Sequence, residues 1–185
     1  MDREPERSTH VTATTATLPG TATRALDFDV LYRDARDDVF AYAATLLRDS
    51  AAAEDVTALA FERAYRRRSR FDASRGTPRA WLFAIARNAA LDELRSRKRA
   101  ATADLPEPTS DPSPDEAAEL AAERDAVRRA LGRLVARDRE VIALKYHAEL
   151  SNAELAAVLG VSVSNAGTRL HRALTKLREI LDDQS

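Results

Sequence analysis

Four basic side chains, Arg169, Arg172, Lys176 and Arg178, fall within residues 162–178 with no acid among them. Short polar residues, Ser164, Asn165 and Thr168, stand ahead of them. On a helix this order suits the major groove of duplex DNA, with the early polar groups facing base edges and the later cations gripping phosphate. A second set mixes cations with aromatics. Arg63, Arg66, Arg67, Arg68, Arg70, Arg75 and Arg79 lead into a stretch closed by Arg95, Arg97, Lys98 and Arg99, with Tyr65, Phe71, Trp81 and Phe83 interleaved. Such a mixture suits single-stranded DNA, whose bases stack on aromatic rings. The competing reading is that Trp81 and Phe83 serve a helix that needs a core, and Trp81 is read as mainly structural. Asn88 is a polar residue in an apolar stretch, placed either to satisfy a buried backbone group or to hydrogen-bond an exposed base. The three histidines, His10, His147 and His171, are scattered, and no Ser-His-Asp order, metal-ligand spacing or phosphate-cradling glycine loop accompanies them. Neither a catalytic site nor a cofactor is expected.

These groups must be positioned by helices. Glycine numbers only 5 and aromatics 5%, whereas Ala, Leu and Arg abound. Phe28, Leu31, Ala35, Val39, Tyr42 and Leu46 are spaced by threes and fours, which predicts a first helix within 26–47. A second helix is predicted over about 52–69, with Ser50 as its cap and Val56, Leu59, Ala60 and Ala64 as its apolar stripe. Residues 71–76 read as a turn. Thr77-Pro78 then gives a cap followed by proline at the first helical position, opening a third helix to about Arg99. Trp81, Leu82, Ile85, Ala89, Leu91 and Leu94 are its apolar residues. Further on, Leu120, Val127, Leu131 and Leu134 mark one helix, and Val141, Ile142, Leu144 and Tyr146 another opened by Arg137-Asp138. Ser151-Asn152-Ala153-Glu154 is a capping box. Gly160 supplies a turn, and Ser162 caps a last helix bearing Val163, Ala166, Leu170, Leu174, Leu177 and Leu181. Short helix, glycine turn and longer helix make residues 151–178 a helix-turn-helix. A plain helical hairpin with a solvated basic face is the alternative.

Charge divides the chain. Residues 26–60 sum to −5, 61–100 to +8, 101–116 to −5 and 117–185 to +1, within a net charge of −1. Acidic and basic faces side by side suit two different partners, a polyanion for the basic one. Residues 101–114 hold four prolines and read as an acidic, semi-extended linker. The expected architecture is all-α: a disordered tail over 1–25, a helical domain over 26–100, a linker over 101–116 and a second domain over 117–185. The linker by itself implies no fixed placement of the two domains. No apolar run approaches the roughly 18 residues of a membrane span, and the N-terminal residues do not read as a secretory signal. With no cysteine, disulfides and thiol chemistry are excluded. The expected setting is cytoplasmic, without membrane insertion.

Residues 53–64 (AEDVTALAFERA), 81–99 (WLFAIARNAALDELRSRKR) and 151–177 (SNAELAAVLGVSVSNAGTRLHRALTKL) together resemble an extracytoplasmic-function (ECF) sigma factor. These are small two-domain members of the bacterial housekeeping-sigma superfamily. The resemblance implies a factor that directs core RNA polymerase to promoters and helps open them. Its first domain would dock on the β′ clamp and recognise and open the minus-ten element. Its second would read the minus-thirty-five element and touch the β flap, and the acidic linker would enter the polymerase channel. An anti-sigma factor is the further partner implied. Carried over by position, Asp55 and Phe61 match the polymerase-facing helix. Arg66, Arg70, Phe71, Trp81, Asn88, Asp92 and Arg95 match the minus-ten set, with Asn88 at a position that can hold a flipped base. Ser164, Asn165, Thr168, Arg169, Arg172 and Lys176 match the minus-thirty-five set. Ala58 and Leu59 depart from the family's usual Gln-Glu, and Gly167 replaces a usual lysine or arginine.

Two other classes fit parts of the chain. Residues 117–185 alone would serve a helix-turn-helix repressor or activator, but that reading needs a ligand pocket or dimer face in the first domain. An enzyme would need a constellation that the scattered histidines do not offer.

Overall fold

The computed structural model describes residues 26–101 and 118–183. The expected tail, 1–25, and all of the expected linker except Ala101 lie outside the described residues. Within them the chain is all-α, as expected: α1 (Phe28–Leu47), α2 (Ser50–Arg67), a 3-10 turn (Arg68–Arg70), α3 (Pro78–Ala101), α4 (Ala118–Arg133), α5 (Ala136–Tyr146), α6 (Asn152–Leu159) and α7 (Val163–Asp182).

Helix ends follow local chemistry. Asp27 opens α1 by accepting a hydrogen bond from the Val30 N–H at 3.1 Å. The cap of α2 is Asp49, not the expected Ser50, which is instead the first helical residue. Asp49 accepts from the Ala52 N–H at 3.0 Å and from Arg97 of α3 at 2.9 Å. That backbone bond, with the Arg97 charge, holds its carboxyl below the usual range. A tertiary contact thus selects between two adjacent capping residues. Thr77 caps α3 as expected, accepting from the Ala80 N–H at 3.2 Å.

The three N-terminal helices enclose Leu31, Val39, Tyr42 and Leu46 of α1, Val56, Ala60 and Phe61 of α2, and Leu82, Phe83 and Ile85 of α3. Many contacts are made by alanines, including Ala43, Ala53, Ala64, Ala86 and Ala90, so the helix axes approach closely. Phe83 is fully buried, with its ring edge-on to Tyr42 at 5.8 Å. Trp81, Leu91 and Leu94 are only half-buried at the rim. In the second half, Val141, Ile142, Leu144, Leu150 and Leu155 form the centre. Tyr146, expected on the apolar side of α5, is 61% exposed because it ends the helix and turns outward.

The helix-turn-helix is present. Ser151 and Glu154 form the reciprocal capping box of α6. Gly160 then adopts φ +68°, with its N–H on the Ala157 carbonyl and the Val161 N–H on the Ala156 carbonyl, which closes α6 and turns the chain into α7. Ser162 caps α7 through the Asn165 N–H at 3.2 Å.

The two halves have a definite placement. α1 packs on α5 and α3 on α6, and the buried residues of both halves form one continuous core.

Gly160 sits in the left-handed region, where a side chain costs about 1–2 kcal/mol. Gly160→Ala is expected to lower unfolding free energy by about that amount, read by urea denaturation, with the midpoint falling and the slope unchanged.

Candidate nucleic-acid interface

The solvent face of α7 carries the expected set. Ser164, Asn165, Thr168, Arg169, Arg172 and Lys176 are all exposed, while Ala166 and Ala173 face inward. Thr168 donates its hydroxyl to the Ser164 carbonyl at 3.0 Å, and Lys176 is paired with Asp138 of α5. Between α5 and α7 lies a cleft of about 300 Å³ lined by Arg137, Arg169, Arg172 and Lys176 together with Asp138 and Glu140. Four cations against two carboxylates leave this surface fit for a phosphate backbone. A Cβ built on Gly167 meets nothing within 4 Å.

A second surface runs from the end of α2 through the turn into α3. Arg66 pairs with Glu62 at 2.7 Å, and the Arg68 guanidinium lies 4.0 Å from the centre of the exposed Tyr65 ring. Arg70 is exposed and leads into Phe71, which stands edge-on against Trp81 at 5.6 Å. The Asp72 carboxylate accepts from the hydroxyl and N–H of Ser74, shaping the turn, and these bonds hold it below the usual carboxylate range. Asn88 is exposed, so the alternative of a buried backbone partner falls away. Asp92 links Arg95 at 3.0 Å and Arg63 at 3.5 Å, so these groups act as one cluster.

On α2, Asp55 is exposed, but Phe61 is only 5% exposed. Its ring lies under Phe28 and Tyr32, with centroids at 6.3 and 4.8 Å. Phe61 thus lies just beneath the surface at this place, where Tyr32 and Tyr65 are the aromatics presented to solvent.

Sequence reasoning missed a polar belt between the two halves. Arg79 of α3 reaches the Asp38 carboxylate at 2.6 Å and donates to the carbonyls of His147 and Ala148 at 2.8 and 2.7 Å. Arg87 and Glu140 approach to 2.9 Å as an ion pair without hydrogen-bond alignment, at 21% and 9% side-chain exposure. Arg139, buried, donates to the Leu46 carbonyl at 3.3 Å, and Thr45 is hydrogen-bonded to His147 Nε2 at 3.0 Å. Thr77 donates to Glu154 at 2.5 Å, and that bond, with those from Ser151, holds the Glu154 carboxyl low. Burial raises the Glu140 carboxyl against the pull of Arg87, and it lowers His147 against the pull of Asp38. Burial likewise raises the Tyr42 phenol, with Glu140 adding to the rise. The available signal was Arg87 inside the apolar run of α3 and Arg139-Glu140 directly before Val141 and Ile142.

Residues 31–100 match the family described as Sigma-70 region 2, and residues 124–177 match Sigma-70, region 4. An arginine- and aromatic-lined region-2 fold beside a region-4 helix-turn-helix defines a sigma factor. The chain is 32% identical over 164 residues to the ECF RNA polymerase sigma factor SigK of Mycobacterium ulcerans (strain Agy99), covering 84% of this chain and 86% of SigK. It is 27% identical over 157 residues to the ECF sigma factor SigM of Bacillus subtilis (strain 168), covering 84% and 95%. Among solved structures, the sigma factor RpoE in complex with the anti-sigma factor NepR from Bartonella quintana superposes with a TM-score of 0.71 at 25% identity, covering 84% and 97%. CnrH in complex with the cytosolic domain of CnrY gives 0.62 at 30% identity, covering 85% and 89%. The chain belongs to the ECF family of RNA polymerase sigma factors, and its function is to direct core polymerase to promoters for initiation.

Two outcomes follow from the geometry. His147 faces Asp38 and Thr45 of α1, with the Arg79 guanidinium on its carbonyl. Its folded pKa lies below the ordinary 6.5, so at lower pH the unfolded chain takes up a proton that the folded chain refuses. Stability from this site falls as pH drops below 6.5 and levels off beneath the depressed value. Thermal melts between about pH 7.5 and 5.5 are expected to show a larger loss in wild type than in His147→Gln, in which the other titrating groups remain. Separately, Gly167→Ala is expected to stabilise the fold by up to about 1 kcal/mol in chemical denaturation, since helix propensity improves in open space.

Proposed function

We propose that residues 26–100 dock on the β′ clamp of polymerase and recognise and open the minus-ten element, using Asp55 on the docking side and Arg66, Arg70, Phe71, Asn88, Asp92 and Arg95 on the DNA side. Trp81 serves by bracing Phe71. Residues 117–185 read the minus-thirty-five element through Ser164, Asn165, Thr168, Arg169, Arg172 and Lys176, and touch the β flap. The linker, 101–116, carries five acids and no base, which suits a basic channel rather than duplex DNA. The factor has no catalytic site of its own and works in the cytoplasm. Among the described residues no helix is long and apolar enough to cross a membrane. An anti-sigma factor is the regulatory partner, by analogy with the relatives solved as sigma–anti-sigma complexes.

The observation that carries this reading is the exposed polar-then-basic face of α7 on a capped helix-turn-helix, in one chain with the arginine–aromatic turn ahead of α3. The test is run-off transcription with sigma-free bacterial core polymerase on a genomic fragment library. Discrete new start sites sharing two upstream elements are expected. Footprints made by the chain alone on palindromic sites, without transcripts, would replace this reading with a dimeric regulator.

Arg169→Ala with Arg172→Ala is expected to weaken upstream promoter binding and flatten its salt dependence by about 0.9 in log–log slope per lost phosphate contact. Unchanged promoter use would refute the assignment of α7. Asn88→Ala is expected to leave duplex binding intact while reducing permanganate reactivity at the minus-ten element, and normal reactivity would remove the flipped-base role.

A further inference from the structure

We propose that Asp138 of α5 sets the DNA specificity of α7, by holding the Lys176 ammonium at one fixed point on the reading face. The inference rests on the assignment of α7 to the minus-thirty-five element. α5 packs on α7, and the Asp138 carboxylate meets Lys176 Nζ across the cleft between them. Of the three cations assigned to that element, Lys176 alone forms an ion pair with a carboxylate among the described residues.

An ion pair between two exposed side chains is worth little, because water screens it and both partners stay mobile. This pair is lopsided. The Asp138 side chain is 13% exposed and that of Lys176 47%. Asp138 belongs to the first turn of α5, where the helix dipole favours a negative charge. Val141 and Leu159 line the same cleft. A fixed anion thus faces a mobile cation, and the fixed partner dictates where the mobile one sits. The two residues are 38 positions apart on different helices, so the pair is no by-product of spacing within α7. Within α7, Arg172 stands four positions before Lys176, a spacing at which like charges repel. The Asp138 charge offsets that repulsion and keeps both cations on the cleft.

A lysine ammonium carries several donors, so Lys176 can keep its bond to Asp138 and still offer one to a phosphate oxygen. Held there, the ammonium suits a phosphate at one place relative to Ser164, Asn165 and Thr168, the residues assigned to base edges. Released, its flexible stem can swing to a phosphate in any register. Phosphate contacts carry no sequence information of their own. A released Lys176 therefore strengthens binding on every sequence, whereas the held one adds most where the bases fit as well. The Asp138 carboxylate also subtracts one cation from the field that draws α7 to duplex DNA of any sequence.

The test compares the full chain with its Asp138→Asn variant on two labelled duplexes, read by fluorescence anisotropy over a range of salt. One duplex carries the upstream element shared by the run-off start sites, and the other carries the same bases scrambled. Asp138→Asn is expected to raise affinity for the scrambled duplex about eightfold at about 0.1 M salt and to steepen its log–log salt slope by about 0.9, the release of one counterion. The promoter duplex, whose register already suits the held ammonium, is expected to gain less than about twofold, so discrimination falls about fourfold. Asp138→Glu, which restores the charge, is expected to bring discrimination back. Asp138→Asn with Lys176→Ala is expected to bind the scrambled duplex no better than Lys176→Ala alone. A gain that persists without Lys176, or a loss on both duplexes together, overturns the positioning role. A wild-type preference for the promoter duplex that Asp138→Asn leaves unchanged overturns the role of Asp138 alone. Equal binding of the wild-type chain to both duplexes removes the minus-thirty-five assignment of α7 and this inference with it.

Discussion

One guanidinium, that of Arg79, meets three segments of the chain at once: the Asp38 carboxylate on α1 and the two carbonyls that follow α5, while its own backbone belongs to the first turn of α3. A planar donor fork is suited to this because its N–H groups point in fixed, different directions. The carbonyls of His147 and Ala148 lie where α5 has ended, and the end of a helix leaves such acceptors without intrahelical donors. Arg79 supplies the missing donors from the other half of the molecule. The placement of α6, and through it of α7, depends on that bond.

The Arg87–Glu140 pair lies deeper and works differently. Removing one partner of a buried pair costs about 3–5 kcal/mol, because the other charge is left stranded, whereas an apolar replacement of both can be neutral. Such a pair adds little net stability but punishes misplacement strongly. It therefore specifies how α3 and α5 meet rather than how tightly. The surrounding core is consistent with that division. Alanines at the helix crossings bring α1, α2 and α3 close together, and the large apolar side chains, Tyr42, Leu46, Leu82 and Phe83, fill the centre. Aromatic surface is left over at the edges, at Tyr32, Tyr65, Phe71 and Trp81.

What could be read from the residues was whatever is local. The capping box at Ser151, the turn at Gly160, the proline start of α3 and the helical periods all depend on neighbours within four positions, and all are present. Two misses share a cause that lies far along the chain. Ser50 loses the cap to Asp49 because Arg97, 48 positions away, binds that carboxylate. The polar contacts between the halves join residues 53 to 102 positions apart, and no local period encodes such pairs. Arg87 and Arg139-Glu140 did break apolar runs, which marks a buried polar contact without saying to what. The exposed set on α7 was legible because a single helix face displays it.

Linkage between the halves works in two directions. A tether raises the effective concentration of each half for whatever the other has found, so two weak DNA contacts become one firm one when the span fits the linker. The same tether raises the effective concentration of the halves for each other. A purely apolar contact would win that competition permanently, because nothing in water compensates its exposure. A contact built on Arg79, Arg87, Glu140 and His147 loses less on separation, since water and phosphate can take up the same charges. Polar residues at the seam thus fix how the two halves meet without making their contact as costly to expose as an apolar one.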